Sequence, residues 1–226
     1  MITSTKNSLV QELLQLHQKK HRSARGMFLV EGPHLVEEAH RAGWLTQVLA
    51  TEDTDYPNTT LVNDIVIARL STTKEPQGIL GVCVKKQVQA KEDYILVIES
   101  NDPGNVGTLL RSALAFGFHT VSVASHVDVT NEKVLRASSG AIFQLSIVEE
   151  SLETMKATYP NHHVVGASAK GAVEVAIKAP LILVVGHETK GVHHQGIDTW
   201  IAIETTGVES LNASVAGAIL MHRLRG

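Results

Sequence analysis

Three short runs of this 226-residue chain set polar side chains between glycines in otherwise apolar surroundings: 102–111 (Asp-Pro-Gly-Asn-Val-Gly-Thr-Leu-Leu-Arg), 186–191 (Gly-His-Glu-Thr-Lys-Gly) and 207–216 (Gly-Val-Glu-Ser-Leu-Asn-Ala-Ser-Val-Ala). Packing alone asks for no such arrangement. In the first run Asp102 or Asn105 can cap a helix, and Gly107 lets backbone or ligand come close. Arg111 follows among Val106, Leu109, Leu110, Ala113 and Leu114, where an unpaired guanidinium is costly unless it faces solvent. The second run follows the apolar stretch Leu183-Val184-Val185; Glu188 reads there either as a carboxylate at a helix start or as part of a ligand loop. In the third, Ser210, Asn212 and Ser214 alternate with Leu211, Ala213 and Val215. Ser210 suits an N-cap, capping does not account for the amide of Asn212, and Ala213, Ala216 and Gly217 leave a face that another helix can approach closely.

The elements that would position these runs follow from apolar periodicity. Leu9, Leu13, Leu14 and Leu16 predict a helix over 9–17 that empties into a charged turn at 19–25. A buried strand at 26–30, a helix over 33–42 stopped by Gly43, short strands at 48–51 and 61–62, and the run 78–84 make a small α/β unit. The polar stretch 85–93 has a linker's composition. Beyond it, strands at 94–98, 120–123, 145–148, 163–166, 181–185 and 200–203 are interspersed with helices reaching 116, near 131–137, and at the carboxyl terminus. Near-continuous apolar strands of this kind indicate a parallel sheet covered on both faces. The first and second runs then fall at carboxyl ends of strands, where open α/β sheets bind ligands. The division expected is 1–88 and 89–226.

A content of 43% hydrophobic and 19% charged residues is that of a globular chain. No apolar run approaches the roughly 20 residues that span a bilayer, and 1–6 has no signal-peptide block, so no membrane association and a cytoplasmic location are expected. Cys83, the one cysteine, sits in an apolar strand and excludes an internal disulfide or cysteine cluster. The twelve histidines, among them His162-His163 and His193-His194, lack zinc-ligand spacing, and no metal is expected. A net charge of −3 does not favour nucleic acid as a partner, yet a local patch matters more than the sum. The patch available is 19–25, with Lys19, Lys20, Arg22 and Arg25 as candidate phosphate contacts.

In their order and spacing the three runs resemble the motifs of the SpoU-type (TrmH-like) RNA ribose 2′-O-methyltransferases of the SPOUT superfamily. Residues 133–143 resemble a further segment of that family, and 26–32 with 75–79 look like the small substrate-binding domain many members carry. The resemblance implies an N-terminal L30e-like RNA-binding domain followed by a parallel-sheet SPOUT domain tied in a deep trefoil knot, working as a homodimer through the catalytic domain. It further implies S-adenosylmethionine held largely by main-chain groups near Gly186, Ile203 and Leu211, with Ala167, Ser168 and His187 close by. Asn105, Arg111, Glu188, Ser210 and Asn212 would form the catalytic constellation, with Arg111 either assisting proton removal from the ribose 2′-hydroxyl or positioning a phosphate. The implied substrate is RNA, ribosomal rather than transfer RNA.

The chain departs from the family at Glu204-Thr205, where Pro-Met is common, and at His187, where a small residue or Asn often stands. These changes leave room for a second reading, an RNA-binding protein that keeps the fold without catalysis. A nucleotide-dependent oxidoreductase is disfavoured because no Gly-x-Gly-x-x-Gly follows the strand at 94–98.

Overall fold

In the computed structural model the described residues are 1–125, 127–173, 176–187, 191–192 and 195–225, the side chains of Ala169 and Lys170 excepted. The chain opens with α1 (Ser8–Leu14), a short 3-10 turn (Gln15–His17) and α2 (Lys19–Arg25), then β1 (Met27–Glu31), α3 (Pro33–Arg41), β2 (Leu45–Ala50), β3 (Thr59–Leu61), α4 (Asp64–Leu70) and β4 (Ile79–Val84). These strands form a four-stranded sheet in the order β1-β4-β2-β3, antiparallel except for the β2–β3 pair. The basic stretch expected as a turn is a helix: a left-handed Gly26 (φ 62°) ends it, and its second turn points Arg22 inward.

The second half runs β5 (Tyr94–Ile98), α5 (Pro103–Ala115), β6 (Thr120–Val123), α6 (Glu132–Ser138), β7 (Ser146–Val148), α7 (Leu152–Thr158), β8 (His163–Ala172), β9 (Leu181–Val185), β10 (Thr199–Ile201) and α8 (Ala213–Arg225). A six-stranded sheet in the order β10-β8-β9-β5-β6-β7 results, every pair parallel. Alternate residues of one strand serve opposite faces: Leu96 and Ile98 join the core under α5, α6 and α8, while Ile95 and Val97 pack with Leu152 and Met155 of α7. Burial on both sides is why these strands read as unbroken apolar runs.

The two halves share a core. Phe28 and Trp44 of the first sheet meet Phe143 at ring-centroid distances of 6.4 and 5.4 Å. Beside them, Arg22 donates from Nη2 and Nε to Asp128 Oδ2 at 2.6 and 3.0 Å, and from Nη1 to the carbonyls of Leu16 and His17 at 2.9 and 2.8 Å. Its side chain is 6% exposed. Arg22 therefore leaves the set of candidate phosphate contacts: its side chain is buried, and four of its five N–H donors are spent on a half-buried carboxylate and two carbonyls. Lys19, Lys20 and Arg25 lie on the exposed side of the same helix, with Arg25 bonded to Glu12 and Gln15.

Candidate active site

The first polar run forms the entry to α5. Asp102 caps the helix, its carboxylate accepting from the amide of Asn105 at 2.8 Å, and Pro103 occupies the first turn, where its missing N–H costs nothing. Val106, Leu109, Leu110 and Ala113 make one buried stripe, and Arg111 falls off that stripe into solvent. The cost of a buried guanidinium does not arise, and among the described residues Arg111 makes no hydrogen bond or ion pair. Gly107 lies where a Cβ would come within 2.5 Å of Ala137 Cβ and 2.8 Å of the Val134 carbonyl, so the close neighbour it admits is the backbone of α6.

The third run caps α8 through Asn212, not Ser210. Asn212 Oδ1 accepts from Ser214 N at 2.9 Å and from Ser214 Oγ at 2.6 Å. That duty fixes the orientation of the amide, since only the oxygen can accept, and it turns Nδ2 outward. There Nδ2 donates to Asn105 Oδ1 at 3.0 Å. One asparagine thus caps the start of a helix and ties the third run to the first, which answers what capping by Ser210 left unexplained. Gly217, a turn further on, is the point of closest approach between α8 and its neighbours: a Cβ there would come 2.4 Å from Leu109 Cδ2 and 3.2 Å from Val185 Cγ2. The close helix partner is α5 of the same chain.

At the end of β9, Gly186 packs against the returning main chain, where a Cβ would lie 2.3 Å from the Gly191 carbon and 2.5 Å from Val192 N. His187 and Gly191 close this loop with main-chain hydrogen bonds of 2.8 and 3.3 Å. Glu188 lies outside the described residues, as do His193 and His194.

The second and third runs, with residues of β8 and β10, enclose a cavity of about 390 Å³. Ala167, Ser168, Gly186, His187, Ile203 and Leu211, the six residues expected around the cofactor, all line it. Ser210 and Asn212 stand at its wall; Arg111 does not. Of the residues that depart from the family pattern, His187 and Thr205 face the cavity, and Glu204 is exposed outside its lining. Val185, Val192, Ala213, Ala216 and Leu220 complete an apolar wall, and Glu209 adds a carboxylate. Their sequence signal was adjacency to the three runs.

An adenosine with a charged amino-acid tail fits this lining. The volume lies in the about 300–1,000 Å³ range of small-molecule sites, with an apolar wall for a purine and a few polar groups for orientation. The main chains of Ile203 and Leu211 make no hydrogen bond among the described residues, so their amides and carbonyls can face a ligand.

A parallel sheet with a cavity at its carboxyl edge, lined by the second and third runs and tied to the first through Asn212 and Asn105, defines the class, and the relatives agree. Residues 93–222 match the SpoU rRNA Methylase family, and residues 7–81 match the MRM3-like substrate binding domain. The chain belongs to the SpoU rRNA methylase family. It is 32% identical over 247 residues to the 23S rRNA (guanosine(2553)-2′-O)-methyltransferase RlmP of Bacillus subtilis, covering 100% of this chain and 99% of that protein. An uncharacterized tRNA/rRNA methyltransferase of Synechocystis is 30% identical over 99% of this chain and 93% of its own length. Among solved structures, an RNA 2′-O ribose methyltransferase superposes with a TM-score of 0.83 at 30% identity, covering 98% of this chain and 96% of that one. The AdoMet-bound rRNA methyltransferase of Sinorhizobium meliloti does so with a TM-score of 0.83 at 25% identity, over 97% and 95%.

Proposed function

We propose that the chain transfers a methyl group from S-adenosylmethionine to a ribose 2′-hydroxyl of ribosomal RNA. The observation that carries this reading is the cavity, in which the second and third polar runs and every expected cofactor residue converge. Main-chain groups at Gly186, Ile203 and Leu211 would hold the adenosine, and Ser168, His187 and Glu209 would meet its polar groups. Bound there, the cofactor supplies an electrophilic methyl on a sulfonium. A ribose hydroxyl is a weak nucleophile at neutral pH, so what the protein must add is alignment and a route for the proton.

The Asn105–Asn212 pair fixes the mouth of the cavity, with Ser210 beside it. Arg111, exposed on α5, offers a planar fork of donors that matches a phosphate, and we assign it the positioning of the target nucleotide's backbone rather than proton removal. Glu188 keeps its place in the constellation on resemblance alone. Lys19, Lys20 and Arg25 are assigned to RNA on the exposed side of α2.

The division into a substrate-binding domain, 1–88, and a catalytic domain, 89–226, is supported by the separate family matches on either side of the stretch 85–93. An L30e-like N-terminal fold and a trefoil knot in the catalytic domain belong to the same reading: the match to the MRM3-like substrate binding domain supports the first, and the packing on α5 of α8, which follows the edge strand β10, supports the second. We assign a homodimer through the catalytic domain. Val208 and Val215, 57% and 47% exposed near the cavity mouth, are apolar surface that such a contact would cover. Among the described residues no helix is long and apolar enough to cross a membrane, and we place the reaction in the cytoplasm. Nothing in the cavity favours the non-catalytic alternative: His187 and Thr205 line it without filling it.

Calorimetric titration with S-adenosylmethionine tests the reading. Micromolar binding by the wild type, lost in Leu211→Glu, is expected; a folded protein that binds no cofactor would overturn it.

A further inference from the structure

Three segments unused by the reaction converge on one groove between the two sheets: 31–34 at the end of β1, 73–77 before β4, and 136–139 at the end of α6. Together they line a polar cavity of about 260 Å³. Its floor is pre-set. The Glu31 carboxylate accepts from the hydroxyls of Ser71 and Thr73, and from Thr72 N and Oγ1 at 3.2 and 3.3 Å. Burial alone would raise this carboxyl, but those hydrogen bonds outweigh it and hold it below the usual carboxylate range. Its lone pairs are spent on the loop 71–73, which makes Glu31 an organiser of the groove rather than an open negative charge.

Glu75, an exposed carboxylate, also lines the groove, whose open positive charge belongs to Arg136. It is exposed, lines the groove, and among the described residues makes one hydrogen bond, from Nη1 to Thr72 Oγ1 at 3.0 Å, leaving most of its donors to solvent. Opposite it, His34 Nε2 is hydrogen-bonded to Ser139 Oγ at 3.0 Å, so the groove is bridged by side chains from both halves. Gln77 presents an exposed amide beside Gly32, where a Cβ would come 2.5 Å from its Oε1.

The groove borders α6, which packs on the helix that carries Arg111. Ala137, between Arg136 and Ser139, is the residue against which Gly107 of α5 packs, and Gly107 lies between Asn105 and Arg111.

We infer that this groove is a second RNA subsite, one that takes a single unpaired nucleotide of the substrate outside the methylated residue. Arg136 contacts its phosphate, and the amide of Gln77 meets its base edge. The inference rests on the proposed action on RNA. A duplex is too wide for a cavity of about 260 Å³, whereas an unstacked nucleotide exposes the base edge and phosphate that these side chains complement from the rim of the groove.

The test uses the full-length protein and deproteinised ribosomal RNA from cells lacking it. Equilibrium RNA binding is measured across a salt series for wild type, Arg136→Gln and Gln77→Ala, alongside methyl transfer, cofactor titration and Tm. Arg136→Gln is expected to weaken RNA binding about tenfold or more, as loss of a charge-assisted hydrogen bond does. It should also lower the slope of log affinity against log salt by about 0.7, one single-strand phosphate contact. Gln77→Ala should weaken binding without changing that slope. Cofactor affinity, kcat and Tm should stay at wild-type values in both. Wild-type affinity and slope in Arg136→Gln would overturn the subsite, as would a parallel loss of cofactor affinity. RNA binding by the wild type without methyl transfer would instead overturn the catalytic reading, and the binding arm would still decide the subsite.

Discussion

Replacing Arg22 with methionine keeps the length of the side chain and removes its charge from a site only 6% exposed. Four hydrogen bonds go with it, two on Asp128 and two on the carbonyls of Leu16 and His17. Breaking a buried ion pair by deleting one partner costs about 3–5 kcal/mol. Asp128 keeps its bonds from Thr130 N and Oγ1 at 2.9 and 2.6 Å and is 15% exposed, which favours the lower end. At about 2–4 °C per kcal/mol for a chain of this size, a cost of about 3 kcal/mol lowers Tm by about 6–12 °C. The assay is thermal and urea unfolding of wild type, Arg22→Met, Asp128→Asn and the double variant. With the charge gone from both sides, the double variant should cost less than the sum of the single variants by about 1–2 kcal/mol. A Tm within about 2 °C of wild type for Arg22→Met, or additive costs, would show that the pair does not hold the two halves together.

Gly186→Ala forces a Cβ into the main chain of Gly191 and Val192, and if the about 1–3 kcal/mol cost of overpacking falls on the cavity, cofactor affinity drops about 10- to 100-fold in calorimetry. Burial pushes the Cys83 thiol up to about 12, so a disulfide reagent at pH 8 should react only as fast as the native protein opens, and a burst of native-state labelling would contradict that. Burial would raise the Asp128 carboxyl, but hydrogen bonds from Thr130 and Arg22 outweigh it and hold it low. With the folded value depressed, its contribution is complete above the unfolded pKa of about 3.9 and is lost as pH falls through the folded value. The stability gap between wild type and Asp128→Asn should therefore narrow on acidification below about pH 4, and a gap that widens there would refute the assignment.

Strands β5, β6 and β9 coincide with the runs at 94–98, 120–123 and 181–185 because both faces of each are buried, so no charged residue interrupts them and the polar Thr120 and Ser122 of β6 are themselves buried. Helices α4 and α7 are not read from the sequence, where seven residues allow only one repeat of an apolar stripe; α6, equally short, is expected near 131–137. The charged run in α2 looked like a solvated turn because the partner that makes Arg22 a buried residue lies 106 positions away. Local pattern carries no trace of such a pairing. The same limit applies to Asn212, whose bond to Asn105 spans 107 positions. For the cavity, adjacency to strand ends marked Gly186 and His187, but Ala167, Ile203 and Leu211 are ordinary apolar or small residues that only the family resemblance singled out.

The most direct test of the account is transfer of isotopically labelled methyl from S-adenosylmethionine to ribosomal RNA taken from cells lacking the protein, followed by digestion to nucleosides and mass spectrometry. The account predicts label on one nucleoside as its 2′-O-methyl form, with Asn212→Ala and Arg111→Ala strongly reduced. Label on a base, or no transfer by a protein that binds the cofactor and the RNA, would contradict it.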